Sequence, residues 1–394
     1  MGTPLRVLVV DDSPSFRRIL TVALERDPDI KVVATARDGA VALEQLSVCN
    51  PDIVTLDLEM PTLGGIATLR EIRRQRPNLP VLVVSASTTR GARATMDALA
   101  AGASDYFTKP GAAEGASIDG LSAELIRRVR ILTESAARAS RLVRTPTTPR
   151  AAPRVQAPAD AAGVERPQGT LAAAPLPTVP TAAARGAVSR MEGPRAFGNP
   201  TPRILIVGAS TGGPEAITRL LLALPRPFSL PVLVVQHMPV YFTSVFAERL
   251  ATTLGVDVRE AIEGEVLRPG QIRLAPGDRH VEVRADRNAL TTHLTQEPPE
   301  NFCRPSVDVT LRTAAEACGA RVLAVILTGV GADGRAGCAR VTAAGGRVYA
   351  QGEATSVVWG MPGAVARAGL AERVGPIPDL AVAVQQALVR GDVR

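Results

Sequence analysis

The sequence predicts an α/β protein built from two doubly wound, parallel-sheet domains with a linker between them. Three observations lead there. At 394 residues the chain is too long for one ordinary core, so two domains are the starting expectation. Short β-branched runs alternate with amphipathic segments in both halves, the pattern of repeated βα units. Between the halves, residues 145–202 are rich in Ala and Pro and have no apolar period, which reads as a disordered linker. The expected divisions are 1–138, 139–200 and 201–394. As a flexible coil the linker would span roughly 45 Å end to end.

In the first half, "LRVLVV", "KVVATA", "DIVTLD", "PVLVVSA" and "DYFT" are the strands, and segments such as "PSFRRILTVALER" and "GGIATLREIRRQ" are the helices between them. Five such units predict a flavodoxin-like sheet of order 2-1-3-4-5. In the second half, "RILIVGAS", "PVLVVQHM", "RVLAVILTG" and "GRVYAQ" read as buried parallel strands of a Rossmann-like sheet. The Gly- and Pro-punctuated stretch "VDVREAIEGEVLRPGQIRLAPGDRHVEV" reads as antiparallel hairpins added to that sheet.

Composition removes several function classes. The net charge is +7, but nine arginines against three acidic residues fall within 138–200, so nearly all the basicity belongs to the linker. That segment has no aromatic ladder on which bases could stack, and nucleic-acid binding is not expected. No apolar run reaches the length of a membrane span, and no signal peptide opens the chain, so a cytoplasmic protein without membrane insertion is expected. Cys49, Cys303, Cys318 and Cys338 have no metal-type spacing and suit a reducing compartment.

Two constellations carry chemistry. In the first half, Asp11 and Asp12 end strand one and Asp57 ends strand three, which are neighbours at the switch point of a 2-1-3-4-5 sheet. Crowded carboxylates call for a hard divalent cation, Mg²⁺ being the economical choice, and Asp57 could then attack phosphorus to form an aspartyl phosphate. Ser85 ends strand four and Lys109 follows strand five. With "VVDDSPSFRRIL", "TLDLEMP", "VVSAST" and "DYFTKP", residues 1–130 resemble a response-regulator receiver domain. The resemblance implies phosphotransfer from a histidine kinase to Asp57. It also implies a switch read through Ser85 and Tyr106, and Mg²⁺ held by Asp11, Asp12, Asp57 and the backbone carbonyl of Glu59. Gly64 departs from the family, which usually has an acidic residue there.

In the second half, "GASTG" has the G-x-S-x-G spacing of a nucleophile elbow around Ser210. It lacks the G-x-G-x-x-G and P-loop patterns of nucleotide loops. His237 ends the next strand, and Asp333 lies in the Gly-flanked turn after a third, so base and orienting carboxylate are expected on the same sheet edge. His280 and His293 read as surface or turn residues. Alone, Asp333 would read as a helix cap. "VGASTGGPEA", "VVQHMP", "FTSVFAERL", "RPSVDVTLRTAAE" and "ILTGVGADG" together resemble the chemotaxis protein-glutamate methylesterase family over 203–387. The resemblance implies hydrolysis of glutamate γ-methyl esters on methyl-accepting chemotaxis receptors, and deamidation of particular receptor glutamines. It implies a triad of Ser210, His237 and Asp333, with Thr211 beside the nucleophile and no cofactor in this domain. It further implies that the unphosphorylated receiver inhibits. Val330 stands where the family usually has Met; the oxyanion role of that turn would fall to backbone N–H groups, which Val retains. Trp359 and Gly363 replace a smaller aromatic and a basic residue. A monomer is the expected state.

Overall fold

The structure is a computed structural model that describes residues 3–109, 118–144, 200–287 and 289–389. The linker expected between the domains lies almost wholly outside the described residues. The N-terminal domain runs β1 (Leu5–Val10), α1 (Pro14–Leu24), β2 (Ile30–Ala36), α2 (Gly39–Cys49), β3 (Ile53–Asp57), α3 (Gly65–Gln75), β4 (Val81–Ala86), α4 (Thr89–Ala100), β5 (Asp105–Lys109) and α5 (Ile118–Arg144). Its five strands pair in the order β2-β1-β3-β4-β5, all parallel. Strands β1, β3 and β4 are nearly continuous apolar runs because helices cover both faces of the sheet. Side-chain caps start the helices where the sequence supplies them: Ser13, Asp38 and Thr88 accept from Phe16, Val41 and Gly91 N–H groups.

The C-terminal domain continues β6 (Ile204–Ala209), α6 (Gly213–Ala223), β7 (Val232–Gln236), α7 (Phe242–Leu254), β8 (Val258–Glu260), β9 (Ile272–Leu274), β10 (His280–Asp286) and β11 (Ala289–Thr295). Then follow α8 (Val307–Cys318), β12 (Val322–Ile326), α9 (Arg335–Ala343), β13 (Arg347–Gln351), α10 (Met361–Arg367), β14 (Arg373–Gly375) and α11 (Ile377–Val389). Seven strands pair in the order β14-β13-β12-β6-β7-β9-β8, all parallel. The hairpins expected at 256–283 are mostly absent: β8 and β9 join the main sheet in parallel, and among the strands of the described residues only β10 and β11 pair antiparallel, as a separate two-stranded sheet. The reason lies in a buried cation. Arg273 on β9 is fully enclosed and is neutralised by the half-exposed Asp257 (2.8 Å) and the buried Glu265 (2.6 Å), which ties the Gly- and Pro-punctuated stretch to the main sheet.

The two domains share a packed interface. Tyr106 of β5 stacks on Phe242 of α7, with ring centroids 4.9 Å apart and planes 10° from parallel. Arg93 and Asp97 of α4 pair with Glu248 (3.0 Å) and Arg249 (2.6 Å) of α7 at the solvent edge. On α5, Ser135 donates to the Val357 carbonyl and Arg138 pairs with Glu353. Among the described residues, no helix is long and apolar enough to cross a membrane.

Candidate active site and phosphoacceptor site

Strands β12, β6 and β7 are adjacent and parallel, so their C-terminal ends share one edge, and that edge collects the second constellation. Ser210 leaves β6 with its N–H bonded to the Thr328 carbonyl (3.0 Å) and its carbonyl accepting from Gly213 (2.8 Å). The turn closes through Gly212 at φ 75°, where a Cβ would also lie 2.6 Å from Val357 Cγ2, so only glycine fits. Gly329 backs the serine closely: a Cβ there would come within 2.8 Å of Ser210 Cβ.

His237 Nε2 meets Asp333 Oδ2 at 2.7 Å. Asp333 is buried, and the cap reading of it is partly right, with an unexpected target. Its carboxylate accepts from Val307 N–H (2.7 Å), Asp308 N–H (3.0 Å) and Ser306 Oγ (2.8 Å), so it closes the start of α8 rather than only its own turn. Asn301 Nδ2 bridges Asp333 (3.0 Å) and the buried Asp308 (2.9 Å). The other imidazole nitrogen, Nδ1, lies 3.4 Å from Cys303 Sγ, and no hydrogen bond joins Ser210 Oγ to His237. Burial disfavours the imidazolium, but the contacts with Asp333 and Cys303 outweigh it and lift the His237 pKa to about 9. Burial likewise opposes ionisation of Asp333, and His237 overrides it, holding that carboxyl down to about 2.

Ser210, Thr211, His237, Cys303, Val330 and Gly331 line one cavity of about 540 Å³. The backbone N–H groups of Thr211 and Val330 donate to nothing among the described residues and are available to a ligand. The opposite wall belongs to the N-terminal domain: Asp105, Tyr106, Glu124, Arg127 and Arg128. Thr211 Oγ1 donates to Asp105 Oδ2 across the domain boundary (3.0 Å), and Arg128 holds the same carboxylate at 2.6 Å.

The first constellation assembles at the C-terminal ends of β1 and β3. Carboxylate oxygens of Asp11, Asp12 and Asp57 lie within 4.8 Å of one another, a hard-oxygen donor set that fits Mg²⁺. Lys109 Nζ bridges Asp11 (2.8 Å) and Asp57 (2.7 Å). Burial raises the Asp57 pKa to about 6, against the pull of Lys109. Asp57 and Ser85 line a crevice of about 230 Å³ together with Asp12, Glu59 and Lys109. The Ser85 hydroxyl donates to Gly91 O at 3.0 Å. Tyr106 is buried rather than exposed, held inward by Phe242.

Four residues of this edge escaped the sequence reading: Cys303, Asn301, Asp105 and Phe242. No local pattern marks them, because each meets its partner across a long stretch of chain. His280 is not the surface residue expected; it is buried and ties Ser306 N–H to the Pro298 carbonyl. His293 lies within β11, paired with Glu263 at 2.8 Å.

A receiver-type crevice joined to a Rossmann-like domain with Ser, His and Asp on one sheet edge defines a response regulator with an esterase-type output domain. Comparison with known proteins makes the class specific. The response regulator receiver domain family matches residues 7–115 and the CheB methylesterase family matches residues 205–384. A protein-glutamate methylesterase/protein-glutamine glutaminase of Nocardioides sp. is 45% identical over 386 residues, covering 98% of this chain and 96% of the relative. Its namesake from Azospirillum brasilense is 40% identical over 381 residues, covering 96% and 91%. Among solved structures, the CheB methylesterase catalytic domain of Thermotoga maritima is 39% identical, covering 47% of this chain and 98% of that one, with a TM-score of 0.46. The chain belongs to the CheB methylesterase family.

Proposed function

We propose that the protein hydrolyses methyl esters of glutamate side chains on methyl-accepting chemotaxis receptors, deamidates particular receptor glutamines, and is switched on by phosphorylation. The observation that carries the chemistry is the 2.7 Å His237–Asp333 contact beside Ser210, in a cavity with free backbone donors. Ser210 Oγ attacks the ester carbonyl while His237 Nδ1 takes its proton, and Asp333 holds the Nε2–H tautomer. The ring must exchange Cys303 for Ser210 at Nδ1 for this step. Thr211 and Val330 N–H groups stabilise the oxyanion, a donor of this type being worth roughly 3–4 kcal/mol. His237 then protonates departing methanol, and water, deprotonated by the same imidazole, returns the glutamate carboxylate and free Ser210.

Regulation rests on the shared cavity. The receiver's Asp105 occupies the Thr211 hydroxyl, and the β5–α5 edge covers the approach to Ser210. Asp57 accepts the phosphoryl group from a histidine kinase. Mg²⁺, held by Asp11, Asp12, Asp57 and the Glu59 carbonyl, would supply neutralisation of the crowded carboxylate and phosphoryl charge. Lys109 pairs with the phosphoryl group in place of Asp57, and the rearrangement reaches Tyr106 and its stacking on Phe242. Asp57→Ala is expected to leave methanol release unchanged by a small-molecule phosphodonor that stimulates the wild type. Equal stimulation of both would remove Asp57 from the switch.

A further inference from the structure

The segment Glu300–Cys303 forms a tight two-residue turn at the mouth of the catalytic cavity. Glu300 and Cys303 exchange both backbone hydrogen bonds, at 3.2 and 3.0 Å, as the ends of a hairpin do. Its central residues, Asn301 and Phe302, both have positive φ, 54° and 61°. Consecutive positive φ angles are the mark of a type I′ turn, for which Asn-Gly is the favoured pair. Asn301 suits its place. Phe302 stands where glycine belongs, since a bulky side chain with positive φ is strained.

Among the described residues nothing compensates for that choice. The other three side chains of the turn all have partners in the protein: Glu300 accepts two hydrogen bonds from Arg312, Asn301 bridges Asp308 and Asp333, and Cys303 meets His237. Phe302 is 102% exposed, so among the described residues its ring packs on nothing, yet it lines the cavity that contains Ser210. An aromatic side chain held in a strained backbone, by neighbours that grip the triad, has its use outside the molecule. A second aromatic repeats the arrangement: Tyr241, four residues after His237, has φ 72° and is half exposed. Its loop adjoins the turn, because Gly277 packs against Val240 and Asp278 N–H donates to the Arg304 carbonyl.

We propose that Phe302 is a substrate-contacting specificity residue, which packs on an apolar side chain flanking the methylated glutamate of the receptor and so seats the ester over Ser210. The inference rests on the methylesterase reading above and names the contact that reading leaves open. Ester and amide side chains are uncharged, and an aromatic anchor at the mouth adds contact area that a lone methyl group cannot provide.

The test uses the full chain with phosphodonor, and methanol release from a methylated receptor cytoplasmic fragment. Phe302→Gly and Phe302→Ala should raise KM for the fragment about five-fold or more with kcat within about two-fold, and Phe302→Leu should recover part of the loss. Turnover of a small acetyl ester, which has no flanking residues, should fall far less than turnover of the fragment. Phe302→Gly should unfold at a temperature equal to or above the wild type, since glycine suits the turn. An unchanged KM in both variants overturns the inference, as does a lower unfolding temperature for Phe302→Gly, which would give the ring a role in the fold. Equal losses on both substrates would mean a disturbed triad and overturn it too. Absence of methanol release by the wild type would instead overturn the methylesterase reading, and this inference with it.

Discussion

His237 sits between an acid and a thiol, and that placement sets its pH behaviour. Asp333 and Cys303 hold its pKa up to about 9, above the unfolded value of 6.5. The pair therefore contributes its full stability between about pH 4 and pH 6.5, loses it as pH rises through 9, and loses it again as pH falls through the Asp333 value of about 2. Catalysis runs the other way, because the base must be neutral to accept the Ser210 proton, so methanol release should climb with pH over the same interval. Cys303→Ala removes one of the two contacts that raise the pKa and should shift the acid limb of the pH–rate profile to lower pH. A pH–rate series on both proteins checks this, and coincident limbs would show that Cys303 has no hold on the base. At a neighbouring scale of detail, the two family departures near the C-terminus explain each other. A Cβ at Gly363 would lie 2.9 Å from Trp359 Cδ2, so the larger indole occupies the space a side chain would take. Trp359 in turn donates to the Gln351 carbonyl (2.9 Å) and lies under Arg367. Gly363→Ala should cost about 1–3 kcal/mol through overpacking, read as a lower unfolding midpoint.

Among elements, parallel strands made the site legible and long-range contacts hid the rest. Ser210, His237 and Asp333 could be grouped from sequence because the first two directly follow β6 and β7 and the third lies in the turn that leads from β12 to α9, and parallel neighbours deliver those ends to one edge. The same logic grouped Asp11, Asp12 and Asp57. Strand pattern gave no access to Asn301, Cys303 or Asp105, whose partners lie 32, 66 and 106 residues away. The β8–β9 region was misread because Gly and Pro suggested hairpins, whereas the buried Arg273 cluster draws both strands into the parallel sheet. The contact between β5 and the β6–α6 turn carries its own prediction. The Asp105–Thr211 hydrogen bond involves a charged acceptor and is buried, a class worth about 1.5–3 kcal/mol. Asp105→Ala should raise methanol release without phosphodonor by about ten-fold, the equivalent of about 1.4 kcal/mol. Release that stays at the wild-type basal level would place the inhibitory contact elsewhere.

For the whole molecule, residues of both domains line one cavity, and the proposed regulation rests on that shared wall. The exposed α4–α7 ion pairs add little individually, and the apolar Tyr106–Phe242 stack with the buried Asp105–Thr211 bond holds the arrangement. In the proposed function, an interface of this kind closes the site and is opened by a single phosphorylation. The most direct measurement is methanol release from methylated receptor cytoplasmic fragments by the wild type and Ser210→Ala, each with and without a small-molecule phosphodonor. The account predicts release by the wild type that rises with phosphodonor, and none above background from Ser210→Ala in either condition. Near-normal release by Ser210→Ala would contradict it, because the hydrolysis would then proceed without the proposed nucleophile.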